Sequence, residues 1–201
     1  MPLQNRVTPF SELTAVPDRG MFMGNRGVLH DDERRIVRFA QGRRWIICLT
    51  DFKDRRRPLM VPGNYTELFF MDEATALAAG HRPCHECRRP DALRFRDAWA
   101  EATGNDRSVG LTELDRHLHE DRLASRGVMR RWTAETTSLP DGVMVAIDYD
   151  AFLVQGGALR PWSPAGYGAP RPMPPSVEVL TPRSIVGAIG AGYAPVLHPS
   201  A

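Results

Sequence analysis

Apolar residues in this chain come in short runs, cut by glycine, proline and charge, and the runs predict brief strands alternating with brief helices. Trp45–Leu49 is a bulky apolar run that reads as a strand, and Thr66–Phe70 reads as a second. Between them lie a charged turn, Asp51 to Arg57, and the turn signal Gly63-Asn64. Asp72 is placed to cap a helix over Glu73 to Ala79 that Gly80 stops, and a further helix is expected from Asp91 to Thr103. After a break at Gly104 to Gly110, Leu111, Leu114 and Leu118 fall on one face of an amphipathic helix over 111–124.

Beyond Trp132 the period changes. Val143–Ile147 and Ala151–Val154 predict strands joined by a turn at Asp148 to Asp150, with a second turn at Gly156-Gly157. Six prolines in 161–176 predict a long irregular loop, the kind of segment that often carries function. Val177–Leu180 is an expected strand, followed by a helix that begins at Pro182 and ends at Gly192. The first twenty residues, with Pro2, Pro9, Pro17 and Gly20, read as an irregular leader, and Gly20 to His30 as a turn-forming loop. Leu77 to Pro83 echoes Ile189 to Pro195, either as a duplicated strand–helix–glycine unit or as the same helix-stop chemistry used twice.

Composition is that of a globular protein: 201 residues, 42% apolar and 25% charged, with a formal net charge of +2. Global charge therefore announces no polyanionic partner, although Lys53 is the sole lysine and every other cationic side chain is arginine. No run reaches the ~20 apolar residues needed to span a bilayer, and Met1 to Arg19 lacks a basic-then-apolar signal, so a cytoplasmic location is expected. Three cysteines are an odd number and do not read as a disulfide framework.

Cys84-x-x-Cys87 puts two thiols on one tight turn, the spacing with which a loop chelates a tetrahedral Zn2+ or forms a redox pair. Cys48, in a strand, is a candidate third ligand. The fourth is left among Asp51, His81, His85, the more remote His117 and His119, and water; water would give the open position of a catalytic zinc. His117 to Asp121 reads as a solvated helix face, and Asp148 and Asp150 as turn residues. Arg43, Arg44, Arg55, Arg56, Arg57, Arg82, Arg88 and Arg89 crowd the same stretch. Folded together they would offer phosphate contacts, with Tyr65 or Trp45 for base stacking, partly cancelled by neighbouring acids.

The segment Glu67 to Arg89 resembles the metal-binding half of the Ada-like zinc domain: a strand ending in Phe-Phe, an acidic Ala-rich helix, then Ala-Gly-x-Arg-Pro-Cys-x-x-Cys. The resemblance spans about 23 residues, extending loosely back to Cys48. It implies a small zinc module, a hairpin plus helices, that lies on DNA and belongs to DNA repair. In that family the metal-bound methyl acceptor comes from a Cys-x-x-x-Cys pair; here Phe52 stands four residues after Cys48. Arg82-Pro83-Cys84-x-x-Cys87 is also similar to the second half of a zinc deaminase signature, with Thr50 where that family needs glutamate.

The expected fold class is therefore α+β. Its parts are a leader (1–42), an Ada-like zinc module (43–103), a helical segment (104–134) and a C-terminal strand-rich unit (135–201). The expected function is a zinc protein that binds nucleic acid, with Cys48, Cys84, Cys87 and Asp51 on the metal and Arg55, Arg56, Arg57, Arg82, Arg88 and Arg89 on phosphates. The rivals are a hydrolase- or deaminase-like zinc enzyme using Asp51, Glu67 or Glu86 as its acid/base group, and a zinc staple in a protein that works through its 155–175 loop. No catalytic residue is assigned.

Overall fold

The computed structural model describes residues 1–54 and 58–201. Its elements are mixed α and β, in two six-stranded sheets, a small hairpin and four helices among the described residues. The first sheet is built from β1 (Arg6–Val7), β2 (Leu13–Thr14), β3 (Phe22–Asn25), β4 (Ile46–Leu49), β5 (Leu68–Phe70) and β6 (Arg82–Pro83), in the order β2-β1-β5-β3-β4-β6. A two-stranded hairpin follows, β7 (Leu123–Ser125) with β8 (Val128–Met129). The second sheet is antiparallel throughout: β9 (Trp132–Glu135), β10 (Met144–Ile147), β11 (Asp150–Gln155), β12 (Ala158–Ser163), β13 (Gly166–Tyr167) and β14 (Ser176–Val179), in the order β13-β12-β11-β10-β14-β9.

The helices are α1 (Glu73–Ala78), α2 (Arg89–Thr103), α3 (Leu111–Arg122) and α4 (Arg183–Gly190). All six residues of α1 are buried: four are apolar, and Glu73 and Thr75 have hydrogen-bond partners that offset their burial. Ala76 and Leu77 belong to the main core, while Ala74 and Ala78 pack with Met144, Ala146, Leu153 and Tyr167 of the second sheet. The helix thus joins the two sheets. Asp72 caps it as expected, accepting from the Thr75 N–H at 2.9 Å, and also accepts from the Tyr167 hydroxyl at 2.7 Å. Helix α2 packs on α4, where Gly187 lets the backbone approach: a Cβ there would stand 3.0 Å from that of Ala102.

Three expectations need correction. The leader is not irregular, because β1 and β2 pair with each other and β1 runs parallel to β5. Gly20 to His30 is no mere loop, since it contains β3, which pairs with both β4 and β5. Gly24 is needed there for space: a Cβ would lie 2.1 Å from the Ile46 carbonyl oxygen. The proline-rich stretch also forms strands. Pro161 sits in β12 opposite Phe152, and its carbonyl accepts from the Gly168 N–H at 2.8 Å. Proline removes a donor but leaves an acceptor, so a strand can accommodate it where the N–H is not required.

The echo resolves into one hydrogen-bond pattern used twice. Gly80 N–H donates to Leu77 and His81 N–H to Ala76; Gly192 N–H donates to Ile189 and Tyr193 N–H to Ala188. Both glycines are left-handed, at φ 79° and 99°. This is a Schellman cap, in which the glycine reverses the chain while two carbonyls of the last turn are satisfied. After the cap the copies diverge, since Arg82–Pro83 forms a strand and Ala194-Pro195 does not.

Candidate metal centre

Strand β6 runs parallel to β4, with Ile46 beside Arg82 and Ile47 beside Pro83. The next step of that register brings Cys84 alongside Cys48, and the Cys84 N–H donates to the Ile47 carbonyl at 2.8 Å. From Cys84 the chain turns tightly, the Arg88 N–H returning to the Cys84 carbonyl at 3.0 Å, before α2 begins with Pro90 in its first turn. That turn carries Cys87 back to the other two. The sulfurs of Cys48, Cys84 and Cys87 lie within 4.8 Å of one another, and all three cysteines are free of disulfides. Cys48 and Cys84 are buried and Cys87 is half-buried, so the cluster has one side toward solvent.

Backbone donors converge on the sulfurs. The Glu86 N–H points at Cys84 Sγ at 3.4 Å, the Cys87 N–H supports the same sulfur, and the Leu49 N–H supports Cys87. Hydrogen bonds from the Cys48 and Cys87 thiols, with these amides, hold the Cys84 thiol far below its ordinary value. Cys48, as the donor to Cys84 and then to Cys87, is pushed far up, with burial acting in the same direction. For Cys87 the hydrogen bond with Cys48 works downward, but the thiolate at Cys84 and burial outweigh it, and the value rises. The result is a thiolate favoured at Cys84, held by the Cys48 and Cys87 thiols and by backbone N–H groups. Tetrahedral zinc–thiolate bonding at ~2.3 Å places sulfurs roughly 3.8 Å apart, so the donor set fits a thiophilic divalent ion.

The remaining predicted ligands do not join this group among the described residues. Asp51, the candidate fourth ligand, is exposed in the bend beyond the end of β4 and lies outside the sulfur cluster. His81 is fully buried, its ring 5.2 Å from that of Trp45 and 4.8 Å from that of Phe70. Burial, together with Arg26 and Arg122, holds its pKa well below the ordinary value, and it serves the core as a neutral ring. His85 is half-buried on the turn itself and lies outside the sulfur cluster. His117 stacks on Trp99 at 5.4 Å, and Asp121 accepts from the N–H and hydroxyl of Ser184, so both are tied to local structure. Of the acid/base candidates, Glu67 is buried and accepts from the Met60 N–H at 2.8 Å, while Glu86 is exposed.

The arginine patch is also redistributed. Arg82 is buried and forms a two-pronged pair with Asp115, at 3.0 and 2.8 Å. Arg88 is buried between Glu73 and Asp91, each at 2.8 Å, and over the Phe22 ring. Neither guanidinium is available to a phosphate, because its donors are already on carboxylates. Trp45 is wholly buried and cannot stack on a base. Arg43, Arg44 and Arg89 are exposed, and Arg89 opens α2 two residues after Cys87. Arg55, Arg56 and Arg57 lie outside the described residues.

Sequence reasoning missed the role of the backbone amides and two buried cations, Arg26 and Arg122. Their only sequence signal is an arginine beside glycine or at a helix end, which is shared by many solvated arginines. No helix among the described residues is long and apolar enough to cross a membrane. No protein-family model, curated protein or solved structure matches the chain.

Proposed function

We propose that this is a zinc protein in which the thiolates of Cys48, Cys84 and Cys87 hold the ion, and that the module built around them contacts nucleic acid. The observation that carries the metal reading is the meeting of three sulfurs, one from β4, one just after β6 and one from the turn that follows, within 4.8 Å, under backbone N–H donors. A zinc ion there would tie β4 to the start of α2 and keep the thiolates anionic, and a fourth position would remain for a ligand from solvent. What this chain supplies is the sulfur nest, its half-open side at Cys87 and the exposed cations nearby.

The nucleic-acid part rests on the resemblance of residues 67–89 to the Ada-like zinc domain and on exposed charge flanking the sulfurs: Lys53 beyond Cys48 and Arg89 beyond Cys87. Arg82 and Arg88 lend it nothing, since both are spent on internal carboxylates. The test has two stages. Elemental mass spectrometry on chain purified without chelators should find about one zinc per chain, lost in Cys48→Ser, Cys84→Ser and Cys87→Ser. Fluorescence anisotropy should then show binding of a short DNA duplex at low salt that weakens as salt rises. Absence of zinc overturns the metal reading. Zinc without any low-salt DNA binding overturns the nucleic-acid reading and turns attention to a small substrate at the fourth position.

A further inference from the structure

A second site lies at the other end of the β3–β4 ladder. Cys48 pairs with Met23, whereas Arg26 follows Asn25, which pairs with Ile46 at the opposite end. There the chain leaves an open cavity of about 790 Å³, bounded by the β1–β2 turn, the segment around Phe39 and the β7–β8 hairpin. That volume is in the range of sites for small organic molecules.

The walls divide by chemistry. Three arginines, Arg26, Arg38 and Arg131, line the cavity with Ser11 and Gln4, and Glu12 is the one acid among the lining residues. Phe10, Leu13, Ile36, Val128 and Met129 supply an apolar side. Arg26 is the informative member. It is 1% exposed, and its guanidinium is spread over the Phe39 and Trp45 rings at 4.2 and 5.0 Å. It donates to the hydroxyl and carbonyl of Ser11, at 2.5 and 3.0 Å, and its Nε has no partner among the described residues. No carboxylate among the described residues pairs with it. Burial alone lowers its pKa, to about 9, with no anion opposing the shift. A second buried cation, Arg122, stands 3.9 Å from the same Trp45 ring and donates to the Gly80 and Arg43 carbonyls, with Asp115 the acid that acts on it. A buried guanidinium without a counter-charge is costly, and arginine is the side chain best shaped to take an oxyanion in two prongs.

We propose that this cavity binds an organic anion, its carboxylate, phosphate or sulfonate head among Arg26, Arg38 and Arg131 and its apolar body along Phe10, Ile36 and Met129. The site is independent of the metal centre. Arg38 and Arg131 are exposed, and Arg131 is shared with Glu178 at 3.0 Å, so both can be replaced without opening the core.

The experiment titrates the folded, metal-loaded chain with anilinonaphthalene sulfonate, an aromatic anion, and with phenylnaphthylamine, the same body without the acid, following fluorescence. Saturable binding of the sulfonate is expected, about tenfold tighter than that of the neutral analogue. The double variant Arg38→Gln/Arg131→Gln should weaken the sulfonate about tenfold and leave the neutral analogue unchanged. Equal affinity for the two probes, sulfonate binding indifferent to the double variant, or no saturable sulfonate binding would each overturn the proposal.

Discussion

The hydroxyl of Tyr193 donates a 2.7 Å hydrogen bond to the buried carboxylate of Glu73, which also takes Arg88 at 2.8 Å and the Val196 N–H at 2.9 Å. Tyr193 follows the cap of α4 and Glu73 opens α1, so one contact fastens the last helix to the helix that joins the sheets. Beside this anion and in a buried setting, the Tyr193 hydroxyl is pushed far above its ordinary value and stays a donor. Tyr193→Phe removes a bond to a charged group and should lower unfolding stability by about 2 kcal/mol in urea titrations. Zinc content should be unchanged.

The pair of Arg82 and Asp115 is a structural device between β6 and α3. Asp115→Ala would leave a buried guanidinium without its partner and should cost about 3–5 kcal/mol by chemical denaturation. Replacing both residues by apolar ones, Arg82→Met with Asp115→Leu, should recover most of that loss. A double variant no more stable than Asp115→Ala would contradict this account.

Arginines that contact phosphate are separable from those that hold the fold by salt dependence. Arg89→Gln should reduce the slope of log K against log salt by about one for DNA binding while leaving the melting temperature in place. Arg82→Gln should do the reverse on both counts, because its donors face Asp115. An Arg89 variant with an unaltered salt slope would remove that residue from the interface.

Stability should fall in acid through His81. Its folded pKa lies well below 6.5, so the unfolded chain takes up a proton that the folded chain refuses. The stabilisation is fully present above about pH 6.5 and is lost as pH falls from there toward the folded pKa, at up to about 1.4 kcal/mol per pH unit. Urea titrations between pH 6.5 and 5 on His81→Leu should show a shallower decline than the parent. Parallel curves would mean that the ring is not the group responsible.

Removing the ion should loosen β4 from the start of α2. Saturating chelator is expected to lower the melting temperature by about 10 °C, reversed by added zinc, with Cys48→Ser insensitive to either. A parent chain equally indifferent to chelator would show that the sulfurs hold no ion of structural consequence.

Local chemistry was legible along the chain. Asp72 as a cap, Gly80 and Gly192 as helix stops, the apolar face of α3 at Leu114 and Leu118, and the strands around Val145 and Phe152 depend on neighbours a few residues away. Cys84 and Cys87 were legible for the same reason, since a two-residue spacer sets their distance by itself. Cys48 is 36 positions from Cys84, and only the parallel register of β4 with β6 brings it to them. The leader strands were hidden because β1 and β2 have two residues each and carry no period, and β1 is ordered by β5, remote in sequence. In the proline-rich stretch the prolines masked the end of β12 and its pairing with the two-residue β13.

What the sequence determined alone is therefore the fold class, the helix ends and the CxxC turn, all products of short-range sterics and hydrogen bonding. Tertiary structure decided which arginines are free. Arg82, Arg88, Arg26 and Arg122 read like any other cation in the chain, yet packing buries each of them, two against carboxylates and two against aromatic rings. Burial and the identity of a counter-charge are properties of the folded neighbourhood, and those properties separate a solvated phosphate contact from a structural strut or a cation facing a cavity.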